Sequence, residues 1–141
     1  MTEGEEQLLV VDAANVIGSR PDGWWRDRAG AARRLLSRLS ALGDELPRTV
    51  VVLEGAAKGA AVESDSRVEV VAAEGSGDDA IVAVVDSATR AGTASVTVVT
   101  ADRGLRERVT ALGATTMGPR QLLDRLDTRR WIRAYPRRRP S

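Results

Sequence analysis

The chain reads as an α/β domain in three layers, with a central parallel sheet of about five strands between two layers of helices. Two observations predict this. The strand candidates, Gln7–Val11, Thr49–Leu53 and Ser95–Thr100 among them, are runs rich in Val and Leu rather than apolar–polar alternations. That is the pattern of strands covered on both faces. Between them lie longer stretches with apolar residues at helical spacing, so strands and helices alternate as crossover connections require.

The first strand is predicted over Gln7–Val11. A loop containing Gly and Pro, Gly18–Gly23, leads into a helix from about Trp25 to Leu42. Its apolar Ala32, Leu35, Leu36, Leu39 and Leu42 follow three- and four-residue steps, while Arg33, Arg34 and Arg38 turn outward. Gly43 ends it. The second strand is Thr49–Leu53, and the small, polar residues 55–66 form a loop with at most one helical turn. Val68–Ala72 is the third strand, Asp78–Ala91 the second helix, closed by Gly92, and Ser95–Thr100 the fourth strand. The third helix, Arg103–Leu112, places Leu105, Val109 and Leu112 on one face. Ala114–Met117 forms a short fifth strand, and Pro119, suited to a first helical turn, opens a last helix to Leu126. No internal repeat or linker divides the chain. It reads as one domain over residues 7–126, a flexible polar N-terminus over 1–6 and a basic tail over 127–141.

At 141 residues the domain can bury a substantial core. The chain has no Cys and no His. Disulfides, thiolate sites, imidazole bases and Ser-His-Asp triads are thereby excluded. Catalysis must run on carboxylates, hydroxyls, Arg, the single Lys58 or a bound ion. The acidic start, Met1 to Gln7, is not a secretory signal. No apolar run approaches the roughly 20 residues a membrane helix needs. The expected location is cytoplasmic.

The net charge of +1 hides an asymmetry, because residues 129–141 carry six Arg and no acid. The rest of the chain holds 15 basic against 20 acidic residues, a net charge of −5. Arg accounts for all the basic residues but Lys58, and Ala and Val are abundant. A GC-rich genome accounts for that as readily as phosphate binding does.

Four stretches deliver a carboxylate to the end of a predicted strand or to the helix start beyond it. Asp12 follows Leu8-Leu9-Val10-Val11, and Glu54 follows Val50-Val51-Val52-Leu53. Asp78 and Asp79 follow Gly75-Ser76-Gly77, and Asp102 follows Val98-Val99-Thr100-Ala101. Ligands of a parallel sheet collect at these strand ends. Gathered carboxylates repel one another, which should raise at least one of their pKa values unless a cation intervenes. Mg²⁺ or Mn²⁺ suits an oxygen-rich site. Such ions support in-line phosphodiester hydrolysis without His or Cys. Each acid also has a plainer explanation. Asp12 with Asn15 could close a turn, Asp78 or Asp79 could cap one helix and Asp102 another, and a Glu after a strand is common.

With Asp12-Ala13-Ala14-Asn15, Gly75-Ser76-Gly77-Asp78-Asp79-Ala80-Ile81 and Thr100-Ala101-Asp102-Arg103-Gly104-Leu105, the chain resembles the NYN branch of the PIN-like ribonucleases over roughly residues 7–126. The resemblance implies a PIN-like parallel sheet of strand order 3-2-1-4-5 and an RNA-hydrolysing site that uses Mg²⁺ or Mn²⁺. Asp12, Asp78 and Asp102 match the acids of its three motifs, Asp79 the second acid of a paired Asp-Asp, and Asn15 the Asn of the first motif. The implied catalytic set is Asp12, Asn15, Asp78, Asp79 and Asp102. The implied metal set is Asp12, Asp78, Asp79 and Asp102, with Glu54 standing where relatives more usually carry Asp. Endonucleolytic cleavage of single-stranded or structured RNA is the expected activity.

Two segments offer RNA contacts. In the loop, Arg20, Trp24 and Arg26 follow Asp12 closely, and Arg103 follows Asp102. Arg contacts phosphate, and an exposed Trp can stack on an unpaired base. Of Trp24 and Trp25, one is expected inward and one near the cleft. The tail interleaves Arg129, Arg130, Trp131 and Arg133 with Tyr135 and further Arg. It suits salt-sensitive binding to RNA, or else is a solvated terminus. A dinucleotide-binding domain is disfavoured by the lack of G-x-G-x-x-G after the first strand. A dehalogenase-type phosphatase is disfavoured because Ala14 stands where its second Asp belongs, and Lys58 is ill placed for its lysine. The main competitor is a non-catalytic PIN-like module that binds RNA or a ribosomal surface. Homodimerisation or ribosome association are the partner expectations besides RNA.

Overall fold

The strands Gln7–Asp12 (β1), Arg48–Leu53 (β2), Val68–Ala72 (β3), Ser95–Val99 (β4) and Thr115–Met117 (β5) pair in parallel in the order β3-β2-β1-β4-β5. This is the strand order that the resemblance implies. The computed structural model describes residues 7–19, 23–60, 68–93 and 95–128. Among the described residues, five α-helices connect or follow the strands: Ala13–Gly18 (α1), Arg28–Ala41 (α2), Gly77–Arg90 (α3), Arg103–Ala111 (α4) and Pro119–Thr128 (α5). Among the described residues no helix is long and apolar enough to cross a membrane.

Strand alternation divides the core into two layers. Leu9, Val11, Val51, Leu53, Val99 and Met117 pack with Val16 of α1, Leu35, Leu36 and Leu39 of α2, and Leu122, Leu123 and Leu126 of α5. Leu8, Val10, Val50, Val52, Val96 and Val98 pack with Ile81 and Val85 of α3 and with Leu105 and Val109 of α4. The central strands are therefore apolar on both sides, which is why their sequences show no alternation. Leu39 is wholly buried, and truncating such a residue to Ala typically costs about 2–5 kcal/mol.

The register sets the strand ends level. Asp12 lies opposite Val52, Val11 opposite Val99, Leu53 opposite Ala72, and Val99 opposite Met117. The residues after each strand consequently share one rim of the sheet. Gly55, directly after Glu54, takes φ +60°, a left-handed conformation open to Gly at little cost. It turns the chain sharply from β2 into a 3-10 helix over Gly55–Ala60.

The main departure from expectation is α1. The Asp12-Ala13-Ala14-Asn15 stretch opens a six-residue helix instead of a turn, with Asp12 as its N-cap. Trp24–Arg26 forms a separate 3-10 turn. The next helix starts at Arg28, because Asp27 caps it by accepting from the Gly30 amide at 2.8 Å. At the other end, α5 runs to Thr128, two residues beyond the expected limit.

Candidate active site

Asp12 leaves β1 between β2 and β4 and is buried, with 7% of its surface exposed. Oδ1 accepts from the Asn15 amide at 3.3 Å, which caps α1. Oδ2 accepts from the Thr100 hydroxyl at 3.0 Å. Thr100 follows β4 and is fully buried. Its Oγ1 also accepts from the Asp102 amide at 3.1 Å, so one hydroxyl joins the ends of β1 and β4. The Asn15 side chain adds a second stitch, its Oδ1 accepting from the Ala101 amide at 3.0 Å. Arg106 Nε reaches back from α4 to the Thr100 carbonyl at 2.9 Å. Asp102 caps α4, its Oδ1 accepting from the Leu105 amide at 2.9 Å.

The start of α3 is capped by neither Asp78 nor Asp79. Ser76 is the N-cap, its Oγ accepting from the Asp79 amide at 3.3 Å. The Gly77 amide donates to Glu54 Oε1, from the end of β2. Asp78 and Asp79 thus occupy the first turn with their carboxylates released from capping, where negative charge suits the helix dipole. Asp79 pairs with Arg108 of α4 at 3.1 Å. Among the described residues the Asp78 carboxylate accepts no hydrogen bond. Lys58, after β2, donates to the Ala73 carbonyl at 3.0 Å and so tethers the loop before α3.

These acids act on one another. Burial pushes the Asp12 carboxyl above its ordinary range. The hydrogen bonds from Thr100 and Asn15 oppose that rise, and repulsion from Asp78 and Glu54 adds to it. Asp78 is also raised, first by burial and then by repulsion from Asp102 and Glu54, with Arg108 opposing and Asp79 adding. The expected rise is present, with desolvation as its leading cause and like-charge repulsion as its second. Asp12, Glu54, Asp78 and Asp102 therefore share one electrostatic field at the rim, and Asp79 joins it while engaged by Arg108. Yet among the described residues no three carboxylates converge closely enough to hold one ion between them. Asp12, Asp102 and Glu54 each spend at least one oxygen on a backbone amide.

Of the residues expected to contact RNA, Arg103 is exposed beside Asp102, and Arg26 is exposed with its guanidinium 5.8 Å from the Trp25 ring centre. Trp25 itself is 53% exposed. Arg20, Arg129, Arg130, Trp131, Arg133 and the side chain of Trp24 lie outside the described residues. Thr100 and Ser76, like Arg106 and Arg108, were absent from the expected set. Thr100 looks like any β-branched residue ending a strand, and Ser76 is one of several possible caps in Gly-Ser-Gly-Asp-Asp.

The model of the YacP-like NYN domain matches residues 9–134. The chain belongs to this family. The NYN domain is a PIN-like nuclease fold, and the match spans nearly all the described residues. Among solved structures, Rae1 (YacP) from Bacillus subtilis superposes with a TM-score of 0.68 at 21% identity, covering 90% of this chain and 78% of that one. A point mutant of the same protein superposes with a TM-score of 0.69 at 23% identity, covering 86% and 76%. At such identities the likeness establishes the NYN fold. No curated protein matches the chain.

Proposed function

We propose that this NYN domain is a ribonuclease that hydrolyses RNA phosphodiester bonds with Mg²⁺ or Mn²⁺, and that it cuts internally. The observation that carries the reading is Asp12. It is a buried carboxylate at a strand end, raised by burial and by facing Asp78 and Glu54. A buried charge in a field of like sign is costly unless a cation offsets it. The donors fit a hard divalent ion in kind, being oxygens only, and in charge. Asp12, Asp78 and Asp102 are the residues that would hold it, with Asp79 and Glu54 at its margin. Such an ion, when bound, would supply positive charge for acidifying a water and stabilising the leaving oxygen. Thr100 and Asn15 orient Asp12 and fix the loop that carries Asp102. Arg26 and Arg103 contact phosphate, and Arg20 and the tail residues Arg129, Arg130 and Arg133 are further phosphate contacts by their charge. Trp24, Trp25 and Trp131 offer faces for unpaired bases.

A second reading, an RNA-binding module without catalysis, draws on the lack of three converging carboxylates among the described residues. The deciding experiment incubates purified protein with single-stranded and structured RNAs in Mg²⁺ and in Mn²⁺. Cleavage by the wild type and none by Asp12→Asn supports the nuclease. Equal inertness of the two proteins, with RNA binding retained, transfers the assignment to the module.

A further inference from the structure

We infer that Glu54 is a positioning residue for Asp78 rather than a ligand of the ion, an inference that rests on the ribonuclease reading above. Glu54 directly follows β2, and Gly55 at φ +60° turns the chain away immediately after it. Its carboxylate reaches the first amide of α3 and accepts from Gly77. Gly77 is buried, and a Cβ there would collide with Glu54 Oε1 and crowd its Cδ. With no side chain at residue 77, the Glu54 carboxylate approaches the helix start without having to shift. The longer Glu side chain suits this task, because it spans from one strand end to the start of the next helix.

The consequence falls on Asp78. An Asp at the start of a helix commonly serves as its cap and spends an oxygen on first-turn amides. Here Ser76 takes the Asp79 amide and Glu54 takes that of Gly77. Asp78 is left without a hydrogen bond among the described residues and stands in the field of Asp102 and Glu54. By capping α3 from outside, Glu54 leaves both Asp78 oxygens unused at the rim whose charge also reaches Asp12. Partners that orient metal ligands typically account for 10–100-fold in metal affinity.

The test measures Mn²⁺ affinity by calorimetry in the whole chain for wild type, Glu54→Gln, Glu54→Ala, Gly77→Ala and Asp12→Asn. A Gln at residue 54 keeps an acceptor oxygen for the Gly77 amide, so Glu54→Gln should bind Mn²⁺ within about two-fold of wild type. Glu54→Ala and Gly77→Ala should each lose about ten-fold or more. Glu54→Gln falling as far as Glu54→Ala would make Glu54 a ligand and overturn the inference. So would unchanged affinity in Glu54→Ala. If wild type shows no Mn²⁺ binding that depends on Asp12, the metal-dependent reading itself falls. Hydrogen exchange at the Gly77 amide then decides the role of Glu54. Protection in wild type and Glu54→Gln but not in Glu54→Ala upholds the cap, and equal protection in all three refutes it.

Discussion

Replacing Thr100 by Val keeps the shape of a wholly buried side chain and removes a single hydroxyl. That hydroxyl makes two bonds: it donates to Asp12 Oδ2 at 3.0 Å and accepts from the Asp102 amide at 3.1 Å. A bond to an ionised acceptor contributes about 1.5–3 kcal/mol, and one between neutral groups about 0.5–1.5 kcal/mol. Thr100→Val should therefore lower stability by about 2–4.5 kcal/mol, roughly 6–16 °C in Tm for a domain of this size. Thr100→Ser keeps the hydroxyl and should lose only the methyl group, about 1 kcal/mol. Because the Thr100 bond holds the Asp12 pKa down, its removal should raise that pKa further. The deficit of Thr100→Val should then be larger at pH 7 than at acidic pH, where a protonated Asp12 no longer needs the donor. Urea unfolding at several pH values measures both effects. A Thr100→Val protein within about 0.5 kcal/mol of wild type at pH 7, the range of an ordinary surface substitution, would refute the hub. A deficit independent of pH would detach Thr100 from the charge on Asp12.

Asp12 and Asp78 both titrate above their ordinary values in the folded chain. The native state therefore binds more protons than the unfolded chain between the ordinary and the raised pKa, and stability falls as pH rises through that window. Their penalty is complete above the raised values and absent below the ordinary ones. Asp12→Asn should accordingly flatten the pH dependence of unfolding on the acidic side, and an unchanged slope would count against the burial cost. Mg²⁺ should raise the Tm of wild type more than that of Asp12→Asn, as differential scanning fluorimetry can record; equal shifts would speak against an ion at this rim. Arg108 and Asp79 are 47% and 72% exposed, so breaking their pair in Arg108→Ala should cost at most about 0.5 kcal/mol in urea unfolding. Removing residues 129–141 should weaken RNA binding and flatten its dependence on salt by about 0.7 in slope for each phosphate that the tail neutralises, whereas unchanged affinity in filter binding would make the tail a bystander.

The placement of the acids was legible before their connections were. Valine-rich strands announce a parallel sheet, and its register brings Asp12, Glu54 and Asp102 to one rim. That step needs only the run lengths and the rule that parallel strands end together. Which oxygen meets which amide is decided on a finer scale. The six residues of α1 are too few to show a helical period, so the Asp12 cap on Asn15 could not be separated from a turn. Gly75-Ser76-Gly77-Asp78-Asp79 offers three candidate caps in five residues, and the backbone chose Ser76. Glu54 meets a partner 23 residues away, beyond any local pattern.

Helix capping and ion binding draw on the same carboxylate oxygens, and at this rim capping already uses several of them. Asp12 has committed both oxygens, to the Asn15 amide and the Thr100 hydroxyl. Asp102 and Glu54 have each committed one to a helix start. Asp78, with neither oxygen hydrogen-bonded among the described residues, carries the charge least offset by a donor. A carboxylate can accept more than one donor per oxygen, so the caps orient these groups without exhausting them. If the rim does take up an ion, Asp78 is the side chain that can turn toward it without breaking a hydrogen bond. Asp78→Asn should therefore remove Mn²⁺ binding while leaving stability at neutral pH equal to or above that of wild type, since it deletes a charge that burial and like-sign neighbours disfavour on balance and removes no cap. A loss of stability in Asp78→Asn, read by urea unfolding at pH 7, would show that Asp78 is structural.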